Sequence, residues 1–235
     1  MGKKIAGANN DNGTSINIDA LGNVYTTGKF SGTVDFDPSA ATSNLMSNGG
    51  FNEGFVTKWE ANGDFVWAQQ MGGGSANASA LDVSGNIFTI GNFNGTIDFD
   101  PTANTVNLTS SALTDIFVSK LDGNGNFVWA KHFEYRGGNV IYENDIITDN
   151  SGGVTIVGIT DSAICLNPGI CSSTLTKSSL GGRVNSFVIK LNSNGTLNWG
   201  KMFENVNSIK SVNVDAINNI YLTGYFGEGI VDFDP

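Results

Sequence analysis

The chain has 235 residues, of which 40% are hydrophobic and only 14% charged, with 31 glycines. That is enough apolar material for a core, while the Gly-, Asn-, Ser- and Thr-rich remainder favours short strands and tight turns over helices. A net charge of −10 with 12 scattered Lys and Arg excludes a nucleic-acid-binding face, which needs clustered cations, and disfavours an anionic membrane surface.

Read from the N-terminus, Met1-Gly2-Lys3-Lys4 is followed by Ala and Asn rather than an apolar segment, so no export leader is expected within this chain. No run approaches 18 apolar residues, so no membrane span is expected. The first strong strand signal is Val24-Tyr25-Thr26-Thr27-Gly28. It returns as Ile87-Phe88-Thr89-Ile90-Gly91, as Val154-Thr155-Ile156-Val157-Gly158 and as Ile220-Tyr221-Leu222-Thr223-Gly224, at steps of 63, 67 and 66 residues. A period this long is the mark of a repeat architecture.

Each copy predicts four strands. In the second they run over 78–82, 87–93, 116–121 and 127–132, with Asp/Asn/Gly turns at Ser84-Gly85-Asn86 and Asp122-Gly123-Asn124-Gly125-Asn126 making two hairpins. The register holds elsewhere. Asp19, Asp82, Asp149 and Asp215 precede the first turn, and Lys58, Lys120 and Lys190 close the third strand. Gly63, Gly125 and Gly195 sit in the second turn, and Trp67, Trp129 and Trp199 lie on the fourth strand. A large ring once per copy is read as packing between sheets rather than as a binding platform.

Four antiparallel strands per stacked copy describe a β-propeller blade. A β-helix has a shorter period, and a sandwich does not repeat its sequence. The fold expected is therefore all-β: a β-propeller segment of about three and a half four-stranded antiparallel blades in an incomplete ring. Residues 1–235 form one array, with blades at about 14–74, 75–142 and 143–207 and a partial blade at 208–235. Exposed sheet edges invite pairing, so the partners expected are further blades of a longer parent chain or a second copy that completes the ring.

The signature D-x-x-G-N-[VI]-[YF]-x-[TI]-G at Asp19–Gly28 and Asp82–Gly91, followed by [VI]-D-F-D-P, F-V-x-K and G-x-F-V-W, resembles the SBBP-type bacterial β-propeller repeat. The third copy lacks the DFDP string, and the fourth has Asn219 where Gly stands in the pattern. The resemblance covers nearly the whole chain. It implies a non-catalytic repeat of large exported proteins.

The string Asp35-Phe36-Asp37-Pro38 recurs as Asp98-Phe99-Asp100-Pro101 and Asp232-Phe233-Asp234-Pro235 in the long connection between strands two and three. Because chain direction alternates, these acidic insertions gather on one rim with the links between blades. Two Asp at i, i+2 point the same way along an extended segment. They could close Asx-turns ahead of the proline with Phe tucked into the blade, hold Ca²⁺ through oxygen, or act as an acid/base pair. In the third copy the aligned string is Cys165-Leu166-Asn167-Pro168, where both carboxylates are gone and the apolar residue and proline remain. Cys165 and Cys171 are the only cysteines; a disulfide, two free thiols and a metal site are the alternatives, and a disulfide would imply an oxidising compartment.

His132 is the single imidazole and has no counterpart in the other copies, so a Ser-His-Asp triad would have to use it. The Asp122–Asn126 loop lacks the length and closing Glu of an EF-hand. No phosphate loop, nucleophile elbow or zinc-protease motif is present. The function expected is a non-catalytic scaffold or interaction module of an exported bacterial surface or secreted protein, extracellular or at the cell surface, with no cofactor. The alternative is a calcium- or carbohydrate-binding adhesion module using the DFDP rim, and a hydrolase or lyase of the propeller type is third.

Overall fold

A computed structural model describes the chain except residues 1–4, 8, 48–52, 112–113, 138–140, 169, 177–183, 204–205, 207 and 228–235. It is all-β. The first blade is made of β2 (Asn12–Ile18), β3 (Val24–Phe30), β6 (Glu53–Trp59) and β7 (Phe65–Gln70). The second is β8 (Ser75–Leu81), β9 (Ile87–Phe93), β12 (Asp115–Leu121) and β13 (Phe127–Tyr135). The third is β14 (Ile141–Thr148), β15 (Val154–Thr160), β18 (Asn185–Leu191) and β19 (Leu197–Phe203). A two-stranded sheet of β20 (Ser208–Val214) and β21 (Ile220–Tyr225) follows. Every neighbouring pair is antiparallel, in the same strand order from blade to blade.

The long connections carry small hairpins that the sequence pattern did not predict. They are β4 (Thr33–Asp35) with β5 (Asn44–Met46), β10 (Thr96–Asp98) with β11 (Asn107–Thr109), and β16 (Ile164–Cys165) with β17 (Thr174–Leu175). β1 (Ala6–Gly7) pairs with β4. β16 pairs with the long β13, so the loop of the third blade extends the sheet of the second.

A β-bulge stands at one place in each first strand, at Thr14, Asn77, Asn144 and Lys210, where the pairing register skips one residue. The first three bulged side chains reach the next blade. Thr14 Oγ1 donates to the Ala76 carbonyl at 3.0 Å, Asn77 Nδ2 to Glu143 Oε2 at 2.8 Å and Asn144 Nδ2 to the Ile209 carbonyl at 2.6 Å. The first strands thus stand side by side, as the innermost strands of propeller blades do.

The bulge also explains the repeated glycine of the second strand. A Cβ on Gly28, Gly91, Gly158 or Gly224 would overlap the backbone carbonyl of Asn12, Ser75, Tyr142 or Ser208 respectively. In the three complete blades the Phe55, Phe117 or Phe187 ring closes on the same glycine. Only a residue without a side chain fits there.

The core lies between sheets. Tyr25, Val56 and Met71 of the first blade pack with Ile87, Phe117 and Leu121 of the second. Phe88, Ile90 and Val118 pack with Ile146, Ile156 and Ile189 of the third. Val157 and Val188 pack with Ile209 and Val212 of the last sheet. Burying each such side chain contributes roughly 1.5–3 kcal/mol.

Candidate functional site

Two polar systems recur, one at each end of the blades. At the hairpin end, an Asp closes each first turn with its side chain. Asp19 Oδ1 accepts from the Leu21 and Asn23 amides, both at 2.9 Å, and Asp19 Oδ2 accepts from Asn23 Nδ2 at 2.9 Å. Asp82 and Asp215 repeat the pattern with Asn86 and Asn219, and Asp122 does so with Asn126 in a second turn. Burial raises the Asp19, Asp122 and Asp215 carboxyls, but the amide and Asn donors outweigh it and hold all three below the ordinary Asp value.

The third copy has Gly153 where the others have that Asn, and a lysine supplies the donor instead. Lys190 Nζ lies 2.5 Å from Asp149 Oδ2 and donates to Thr155 Oγ1 at 3.2 Å. Desolvation raises the Asp149 carboxyl; the Lys190 bond and the Gly153 and Ser151 amides pull it below the ordinary value. In the first two copies an aromatic ring stands where Thr155 does. Lys58 Nζ sits 5.1 Å from the centre of Tyr25, and Lys120 Nζ 4.7 Å from that of Phe88. The lysine position thus makes a cation–π contact in the first two copies and an ion pair in the third, and Lys120 makes both, its Nζ also lying 3.5 Å from Asp82 Oδ2.

The tryptophans join this system. Trp67 Nε1 donates to the Gly123 carbonyl of the next blade at 3.4 Å, and Trp129 Nε1 to the Ser193 carbonyl at 3.2 Å. Each indole lies over the turn glycine of that next blade, where a Cβ on Gly125 or Gly195 would stand 3.0 Å from the ring. Trp199, the third of the series, is 36% exposed.

At the opposite rim the DFDP strings close their own loops. Asp35 Oδ1 accepts from the Asp37 amide at 3.0 Å and the Ser43 amide at 2.8 Å. Asp98 Oδ1 accepts from the Asp100 amide at 3.1 Å and the Val106 amide at 2.8 Å. Asp37 and Asp100 cap the next turn through the Ser39 and Thr102 amides. The Phe between each pair is buried: Phe36 lies 4.9 Å from Phe55 and Phe99 4.8 Å from Phe117, centre to centre. Among the described residues, no third His, Cys, Asp or Glu joins Asp35 and Asp37, or Asp98 and Asp100, at metal-ligand spacing. Asp232 and Asp234 lie outside the described residues.

In the third copy Asn167 takes over the loop, with Oδ1 accepting from the Ser173 amide at 2.8 Å and the Asn167 carbonyl from the Cys171 amide at 3.0 Å. Cys165 and Cys171 are joined by a disulfide. Glu134 lies beside it, paired with Arg136 at 2.7 Å. Glu134 and the two sulfurs form a compact trio, but both sulfurs are committed to each other. His132 stacks edge-on against Phe93 at 5.8 Å, with Nε2 3.9 Å from Asp115 Oδ2. Burial lowers its pKa below the ordinary His value, against the opposing pull of Asp115 and Glu134.

Glu143 escaped the sequence reading. It stands where the other copies have Gly13, Ala76 and Ile209, next to the bulge, and is only 6% exposed. Burial pushes its carboxyl up to about 7, against the Asn77 bond and the charge of Lys29. The available signal was a single acid at a position that is otherwise apolar or small.

No family model matches the chain. It is similar to an uncharacterized WD repeat-containing protein of Acanthamoeba polyphaga mimivirus, at 27% identity over 72% of this chain. The match spans 14% of that relative's own length. Among the described residues no helix is long and apolar enough to cross a membrane.

Proposed function

We propose that this chain is a non-catalytic interaction scaffold: a run of propeller blades within a larger exported protein, displayed outside the cell or on its surface. One observation carries the reading. The polar side chains repeated from copy to copy are committed to their own turns or to the next blade, as Asp19, Asp82, Trp67 and Trp129 are. What varies lies in the rim loops, which change from an Asp-closed loop to a disulfide-braced one. A constant frame with variable loops is the arrangement of a display surface. The WD-repeat name of the viral relative and the resemblance to the SBBP repeat support a scaffold. The small share of the relative that is matched supports a longer parent protein, and the disulfide supports an oxidising compartment. Its partners are further blades and a protein or glycan bound at the rim.

The test exchanges the exposed loop tips 39–42 and 102–105 for Gly-Ser linkers and probes arrays of extracellular proteins and glycans. Binding that is lost with the tips while Tm is kept supports the reading. Turnover of glycoside or ester substrates by the purified chain, abolished by a point substitution, would overturn it.

A further inference from the structure

The disulfide loop of the third copy stands against a buried acid of the blade before it. Cys165 on β16 lies directly opposite Glu134 on β13. Cys171 closes the same loop, with its Sγ 3.5 Å from Glu134 Oε2. The carboxylate oxygen and both sulfurs lie within 4.8 Å of one another. Cys165 is fully buried and the Glu134 side chain is 9% exposed. Arg136, half-exposed, pairs with Glu134 at 2.7 Å and donates to Cys171 Sγ. Bonds other than the bridge also hold the loop in shape. β16 pairs with both β13 and β17, the Leu166 amide donates to the Ser173 carbonyl at 2.9 Å, and Asn167 accepts from the Cys171 and Ser173 amides. Opening the bridge therefore leaves two thiols and a carboxylate gathered at one place.

We infer that Glu134, Cys165 and Cys171 form a reduction-gated site for a thiophilic divalent cation such as Zn²⁺. Two sulfurs and one oxygen select Zn²⁺ over Ca²⁺ or Mg²⁺, which take oxygen ligands. A tetrahedral zinc with bonds of about 2.0–2.3 Å spaces its donors by roughly 3.3–3.8 Å, which side-chain rotation supplies once the S–S bond is gone. The charges balance: two thiolates and one carboxylate are offset by the divalent ion and the Arg136 guanidinium beside them. A fourth position is left for water. The gate is thiol–disulfide exchange with a small dithiol. Its thiolate attacks Sγ of Cys171, the more exposed of the two cysteines, and the S–S electron pair leaves on Cys165. The second thiol of the reagent then displaces Cys171, closing the reagent's own disulfide, so two electrons pass to the two cysteines. The ion takes the thiolates, and any proton they carried passes to water. In an oxidising compartment the bridge keeps the site shut. Once bound, the ion ties the loop of the third blade to β13 of the second, whereas the bridge joins two residues of one loop.

The experiment titrates the full chain, reduced with a phosphine, with Co²⁺ as a spectroscopic substitute for Zn²⁺. Expected is one bound Co²⁺ with a thiolate-to-cobalt charge-transfer band, which Zn²⁺ erases and Ca²⁺ does not. Zn²⁺ should raise Tm of the reduced chain and leave Tm of the bridged chain unchanged. Glu134→Gln keeps the side-chain shape and should lose at least the roughly 10–100-fold in affinity that an outer-shell partner costs. No band in the reduced chain, or equal affinity in Glu134→Gln, overturns the inference. So does a band that persists when urea has unfolded the chain, because two thiols alone would then suffice. The scaffold reading does not depend on this site and survives its failure.

Discussion

Gly91 of a second strand lies opposite Ala76, and Gly13 of a first strand lies opposite Gly28 in the copy before, and replacing each glycine with Ala should have opposite effects. A Cβ on Gly91 would overlap the Ser75 carbonyl oxygen and stand 2.8 Å from its carbon and 3.0 Å from Phe117 Cε1, where ordinary contact begins at 3.4 Å. Neither neighbour is a flexible side-chain tip. One is backbone fixed by the bulge at Asn77, and the other is a fully buried ring. Relief requires moving a strand, so the cost lies at the upper end for an overpacked core, about 3 kcal/mol. For a chain of this size that lowers Tm by roughly 6–12 °C. Around Gly13 a Cβ meets nothing within 4 Å. Gly13→Ala should therefore stabilise by about 0.4–1 kcal/mol through the lost freedom of the unfolded chain. Scanning calorimetry of the two variants decides the matter. A Gly91→Ala protein that melts with the parent, or two variants that fall together, would refute the account of the bulge and its glycine.

Four further outcomes follow from the buried acid, the rim loops and the disulfide. In the unfolded chain the Glu143 carboxyl ionises near 4.5, while the fold keeps it protonated up to about 7. The folded state therefore binds the extra proton, and stability falls as pH rises from 4.5 to 7 and is level above, a span worth about 3 kcal/mol. Urea melts across that range should show the slope, and Glu143→Gln should remove it while keeping the Asn77 bond. Asp98→Ala leaves the Asp100 and Val106 amides without their acceptor and should cost about 1–2 kcal/mol. Adding Ca²⁺ or chelator should leave Tm of the parent unchanged, whereas a calcium-dependent rise lost in Asp35→Asn and Asp98→Asn would show that the rim binds the ion. Reducing the Cys165–Cys171 bridge should lower stability by roughly 2 kcal/mol, the entropy of a short closed loop, read as a Tm shift with and without reductant.

The blade pattern was legible because period and turn chemistry are local. Asp19, Asp82 and Asp122 announce turns through their own side-chain bonds to neighbouring amides, and a sequence carries that information directly. The bulges at Thr14, Asn77, Asn144 and Lys210 left no composition mark, since the residues differ and the cause is the pairing of two strands. Their trace was indirect: the glycine at 28, 91, 158 and 224, which reads as a strand residue until the opposing carbonyl is seen. The lysine row was visible as a repeat, but its partners were not. Tyr25, Phe88 and Thr155 lie on a neighbouring strand, and the turn carboxylates Asp82 and Asp149 that Lys120 and Lys190 reach lie far from them in sequence. At the rim, the persistence of Leu166 and Pro168 without carboxylates pointed to a loop device, and the amide bonds to Asp35, Asp98 and Asn167 give it a physical form.

Amide hydrogen exchange across the whole chain tests the central claim of stacked four-stranded blades most directly. Second and third strands are paired on both edges, so β9, β12, β15 and β18 should exchange slowest, with protection recurring at the repeat period of about 65 residues. β21 should exchange faster than β9 and β15, because among the described residues it is paired on one edge only. Protection that forms one block without that recurrence would contradict the propeller array.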